Sequence, residues 1–117
     1  MQQLQTTEDI ITRSEDLFLY KKLVLQLKKD FLRAAIQIEL SEDISPKDLK
    51  YLLQETLFNL LQEQSSDYLN LLYIIDVSEE KIKQVKGDDI LKITEQVSYL
   101  ILLREWQKVW FRSSFQK

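Results

Sequence analysis

The stretch DDILKITEQVSYLILLREWQKVWFR, residues 88 to 112, decides the fold. Asp88 or Asp89 can cap a helix here, and no glycine or proline interrupts the chain between Ile90 and Arg112. On a helical wheel turning about 100° per residue, Ile90, Ile93, Val97, Leu100 and Ile101 gather on one side. Tyr99, Leu102, Leu103, Trp106, Val109 and Trp110 gather about 180° away, and the crossover is YLILL, residues 99 to 103. A stripe that changes sides demands a different neighbour for each half of the helix. Two arrangements meet that demand. In one, the helix is sandwiched within its own chain, with the second helix near its start and the first near its end. In the other, its second half projects from the bundle and buries Trp106 and Trp110 against a second subunit. A kink near Ser98 would also realign the halves, but nothing there causes one. Tyr99, Leu103, Trp106, Val109 and Trp110 are therefore the candidate interface. Arg104, Lys108 and Arg112, spaced four apart, form a candidate basic patch, with Phe111 beside them.

Working outward, composition supports the helical reading. The 117 residues contain a single glycine and a single proline, and leucine, lysine, glutamate and glutamine abound. Sheets need turns that draw on glycine, proline and asparagine, so the fold is expected to be all-α. At this length the chain is one domain, residues 1–117, able to bury roughly two-thirds of its unfolded surface. Residues 1–14 are expected to be disordered. The amino terminus lacks the charged start and apolar run of a secretory signal, and the longest apolar run, Leu100 to Leu103, is too short to cross a bilayer. The expectation is a cytoplasmic protein with no membrane partner.

Upstream, the first helix is expected from about Glu15 to about Ile36, with Ser14 as its N-cap. Leu17, Tyr20, Val24, Leu27, Phe31, Ala34 and Ile38 form one line, and Phe18, Leu25 and Leu32 form another, so this helix should touch neighbours on two sides. Lys22, Lys29 and Arg33 cover its outer face. IQIEL, residues 36 to 40, alternates like a strand but has no partner strand, and reads as a frayed helix end. Ser45, Pro46 and Asp48 open a second helix running to about Gln64. SSDYLNLLYII then reads as a short helix, apolar nearly all round and therefore interior. Ser78 caps another, Glu79 to Lys86, stopped by Gly87. The sum is a bundle of four to five helices: three long ones, with a short broken pair before the last.

Chemistry is restricted. Histidine and cysteine are absent, which removes the usual general base, thiol nucleophiles and typical zinc or iron sites. Glu15-Asp16, Glu79-Glu80 and Asp88-Asp89 are adjacent pairs that point about 100° apart at helix starts, as capping and dipole compensation require. Asp76, next to an apolar helix, is either a buried acid or a cap for the following turn. No catalytic, cofactor-binding or metal-ligating residue is nominated, and no enzyme activity is expected. Residues 104 to 117 carry Arg104, Lys108, Arg112 and Lys117 against Glu105, in a chain of net charge −3. With Phe111 and Phe115 these cations could contact phosphates and stack on bases, but the simpler expectation is that they solvate the end of a helix.

LLYIIDVSEEKIKQV, residues 71 to 85, and LILLREWQKVWFR, residues 100 to 112, resemble a family of short, uncharacterised all-α bacterial proteins. The shared pattern is an apolar-LY-x-x-D-V-S-E-x-K segment followed by a helix ending R-E-x-Q-K-x-x-x-R. Arg104, Glu105, Gln107, Lys108 and Arg112 match its polar part, whereas Trp106 and Trp110 are particular to this chain. The resemblance implies a cytoplasmic helical domain and carries over no active-site residue. The functional expectation is a non-enzymatic interaction module, self-associating as a homodimer or docking another protein through its last helix. The alternative is a nucleic-acid or nucleoprotein accessory using basic patches on the first and last helices.

Overall fold

The computed structural model describes residues 4–115. Among them are six α-helices and no strand: α1 (Thr7–Asp16), α2 (Tyr20–Arg33), α3 (Pro46–Glu63), α4 (Ser65–Ile75), α5 (Glu79–Lys83) and α6 (Ile90–Phe115). The all-α bundle is as expected, with one more helix than foreseen. None of these helices is long and apolar enough to cross a membrane.

The extra helix is α1. Residues 1–14 had been expected to be disordered; residues 1–3 lie outside the described residues, and the rest enter the fold. Thr6 and Asp9 form a reciprocal capping box, each side chain accepting from the other's backbone N–H. Ile10 and Ile11 are buried against the core. Glu8 pairs with Lys50 of α3, and the Tyr99 hydroxyl donates to the Leu4 carbonyl, tying the segment to two other helices. Ser14, expected as an N-cap, is buried inside α1, and its hydroxyl donates to the Ile11 carbonyl.

The long first helix of the sequence reading is broken at Leu17 to Leu19. The stop is a Schellman motif: Leu19 N–H donates to Ser14 O, Phe18 N–H donates to Glu15 O, and Phe18 takes the left-handed conformation at φ 58°. Two further helix ends repeat the device, with Ala35 closing α2 at φ 59° and Asp76 closing α4 at φ 70°. Glycine is the usual residue at that position. Phenylalanine, alanine and aspartate stand there instead, so the stops left no glycine to read. Gly87, expected to end the short helix, lies beyond it, because α5 already stops at Lys83.

Residues 36–40 are not a frayed helix end. The backbone has no regular structure there, and Leu40 N–H donates to the Ile38 carbonyl; Leu40 is buried, Ile36 and Ile38 are half-buried against the core, and Gln37 and Glu39 face water. α3 starts as expected, with the Ser45 hydroxyl accepting from Asp48 N–H and Pro46 in the first turn. α4 is not interior all round: Leu71, Leu72 and Ile75 are buried, while Leu69 and Tyr73 face solvent. At the start of α6 the Asp89 carboxylate accepts from Leu91 N–H, as foreseen. α6 touches all five other helices and is the axis of the bundle.

Candidate functional site

The stripe that changes sides on α6 has a physical explanation in three polar residues. Thr94, Ser98 and Glu105 are all buried, and at about 100° per residue they fall midway between the two apolar stripes. The stripes are the flanks of one broad buried arc whose centre line is polar. Leu100 and Ile101 lie on one flank, Leu102, Trp106 and Val109 on the other, and all five are buried. The helix is thus packed within its own chain along both halves, and its last turns lie on α2.

That last contact is built from charge. Asp30, on the inward face of α2, accepts from Lys108 Nζ at 2.8 Å and from Gln26 Nε2 at 3.1 Å. Four residues earlier on α2, Gln26 Oε1 accepts from Arg112 at 3.2 Å. Asp30 opposite Lys108 and Gln26 opposite Arg112 make two rungs between antiparallel helices, each offset by one turn. Glu105 sits beside them, with Lys108 Nζ 3.2 Å from its Oε1. Neither carboxyl has exposed surface, and the Lys108 side chain keeps only 18% of its own.

Two buried carboxyls facing one lysine cannot both carry charge cheaply. Burial, followed by the hydrogen bond with Asp30, pushes the Glu105 carboxyl up to about 9. Burial acts the same way on Asp30, but hydrogen bonds from Glu105, Lys108 and Gln26 outweigh it and hold that carboxyl below its usual range. Asp30 Oδ1 and Glu105 Oε2 receive no other donor, so a proton carried by Glu105 and directed at Asp30 completes the cluster. Chemically this is an acid held neutral beside an ionised one. Neither carboxyl offers surface that a substrate in solvent could touch. Among the described residues, no group of three metal-ligating side chains comes together.

The nominated residues divide. Trp106, 5% exposed, and Val109 belong to the core of this chain; Tyr99 and Leu103 are half-buried against it. Trp110 is 51% exposed, its ring stacked on Trp106 with centroids 6.4 Å apart. The basic patch does not face water as one surface. Lys108 and Arg112 reach into α2, and Arg104 pairs with Asp76 at 3.2 Å. Asp76 is accordingly neither a buried acid nor a cap for α5; it ends α4 and meets Arg104 at the surface. Lys117, counted with the basic tail, lies outside the described residues.

What the sequence reading missed is the outside of α2. Its second apolar line was expected to meet a neighbour, yet Leu25 and Leu32 are exposed, and Phe18 in the turn before α2 is 93% exposed. The other exposed positions of α2 are Lys21, Lys22, Lys28, Lys29 and Arg33. The only acid on the helix, Asp30, is buried. A groove lined by Lys22, Leu25, Lys29, Val109, Arg112 and Ser113 joins this face to α6. On either side of Arg112 in the chain, Phe111 and Phe115 are exposed and in ring contact at 4.8 Å. The signal was present in the sequence as a lysine-flanked apolar line; its being unpartnered was not. Comparison with protein-family models, with curated proteins and with solved structures found no match.

Proposed function

We propose that the chain is a non-enzymatic protein-interaction module of the cytoplasm, docking a partner over the outer face of α2 and the last turns of α6. One observation carries this. Along all of α2 and along α6 after Glu95, no exposed carboxylate occurs, in a protein of net charge −3. On that one-signed ground stand Leu25, Leu32, Trp110, Phe111 and Phe115, all exposed. Apolar side chains scattered singly over a surface are ordinary; set among cations on helix stretches that expose no acid of their own, they suit a partner. Asp30 and Glu105, the buried acids with perturbed protonation, are enclosed, which weighs against general acid–base catalysis there.

A photo-reactive residue placed at Leu25, at Phe111 and, as a control, at Glu80 on α5 tests this in living cells. Discrete protein adducts from the first two positions and none from the third are expected. An adduct with a second copy of this chain would identify the partner as itself. No protein adduct, the same adducts from Glu80, or adducts only with nucleic acid would overturn the proposal. The last outcome would favour a nucleic-acid accessory, which the one-signed charge of α2 also suits.

A further inference from the structure

We infer that the outer face of α2 receives an acidic amphipathic helix of a different protein. This rests on the interaction-module reading and names the chemistry of the partner. Leu25 and Leu32 lie one heptad apart, about 10.5 Å along the helix axis, in a line one residue wide. Lys21 and Lys28 flank the line on one side, and Lys22, Lys29 and Arg33 flank it on the other, at about 100° per residue. In heptad terms Leu25 and Leu32 fill one of the two seam positions and lysines the other, so the face is a narrow apolar line with charged shoulders, all of one sign. Among the described residues Lys22, Lys28 and Lys29 have no ion-pair partner, while Lys21 meets Asp43 only at 4.0 Å and Arg33 meets Asp30 at 3.7 Å. Phe18 adds an exposed ring at the N-terminal end, in a left-handed backbone conformation that favours glycine.

Three other occupants fit less well. A second copy using the same face would set these cations against their own image, with no exposed acid on α2 to answer them. A membrane-lying helix presents a wide apolar face, not a single line of leucines. Nucleic acid would use the cations but leaves Leu25 and Leu32 without a role. An acidic helix with leucines at heptad spacing satisfies both the seam and its shoulders.

The test uses the isotope-labelled full chain and a synthetic three-heptad peptide with leucine at a and d and glutamate at e and g. Those glutamates also discourage the peptide from pairing with itself. Saturable amide shifts over residues 21–33 are expected, with affinity falling about tenfold or more when glutamine replaces the glutamates or when salt is raised. Leu25→Ser with Leu32→Ser, both at exposed positions, should abolish the shifts and leave the circular dichroism unchanged. The absence of binding, or equal binding of the glutamine peptide, overturns the inference. So does binding of duplex DNA or anionic phosphatidylglycerol vesicles through the same residues without binding of the peptide. Shifts confined to residues 104–115 would overturn the α2 site yet leave the broader proposal of protein docking standing. Cross-links from Leu25 and Phe111 report on that proposal separately.

Discussion

Lys108 Nζ lies 2.8 Å from Asp30 Oδ2 across the α2–α6 contact, and 3.2 Å from Glu105 Oε1 one turn back on its own helix. Lys108 therefore answers two carboxyls that water does not reach, with Arg33 Nη1 more distant, 3.7 Å from Asp30 Oδ1. Charge balance keeps one proton in the cluster, and Glu105 holds it. This arrangement pins Lys108 of the last helix inward and leaves the lysines of α2 outside.

Stability should depend on pH through Glu105. Its folded carboxyl titrates at about 9, against 4.5 for an unperturbed glutamate, so between these values the folded state binds a proton that the unfolded state has lost. Stability therefore falls as pH rises through that window, by at most about 1.4 kcal/mol per pH unit. Asp30, held below its usual range, acts in the opposite sense and withdraws stability only as pH falls through its depressed folded value. Urea unfolding at pH 5, 7 and 9 should show the decline, and Glu105→Gln should flatten it. An identical slope in the variant would contradict the proton assignment.

Removing the lysine alone should cost more than neutralising Asp30 along with it. Lys108→Met leaves Asp30 ionised with only the more distant Arg33, 3.7 Å from its Oδ1, to answer it, a loss of about 3–5 kcal/mol. Adding Asp30→Asn to that variant should recover part of the loss, since a neutral amide tolerates burial better than a stranded carboxylate. Strict additivity in this double-mutant cycle would show that the two side chains do not act as a pair.

Helix ends offer a gain. Ala35 adopts φ 59° at the end of α2, where an added glycine loses the Cβ penalty but gains unfolded-state entropy. Ala35→Gly should raise stability by about 0.5–1 kcal/mol, read as a higher thermal midpoint. Gly87, at φ 149°, should respond in the opposite direction when changed to alanine.

The capping box of α1 is testable alone. Thr6→Ala removes the acceptor for Asp9 N–H and should cost about 1 kcal/mol. Because Ile10 and Ile11 are part of the core, the loss should appear in global unfolding as well as in faster amide exchange over residues 7–16.

The class of fold was legible from glycine and proline scarcity, and the starts of α3, α5 and α6 from Ser45, Ser78 and Asp89. Helix ends were not, because Phe18, Ala35 and Asp76 occupy left-handed positions that a sequence reader looks for glycine to fill. The apparent change of faces on α6 arose because hydrophobic periodicity passes over Thr94, Ser98 and Glu105, the polar centre of the buried arc. For the same reason Glu105 was taken as one charge in a basic tail. Nor could the two tryptophans be told apart: they differ by one turn, and only the position of α2 and the other helices decides which one is covered. The second apolar line of α2 was visible; that no other helix of this chain covers it was not.

Unfolding of two single variants by denaturant tests the division of the tryptophan pair, on which the assignment of core and docking surface depends. Trp106→Ala should lose about 3–5 kcal/mol, as expected for a ring buried in the core. Trp110→Ala should lose no more than about 1.5 kcal/mol, the worth of an aromatic contact at a half-exposed site, and remain folded. Equal losses would mean that both rings belong to the same core. A stable Trp106→Ala variant would mean that α6 is not packed within its own chain as described.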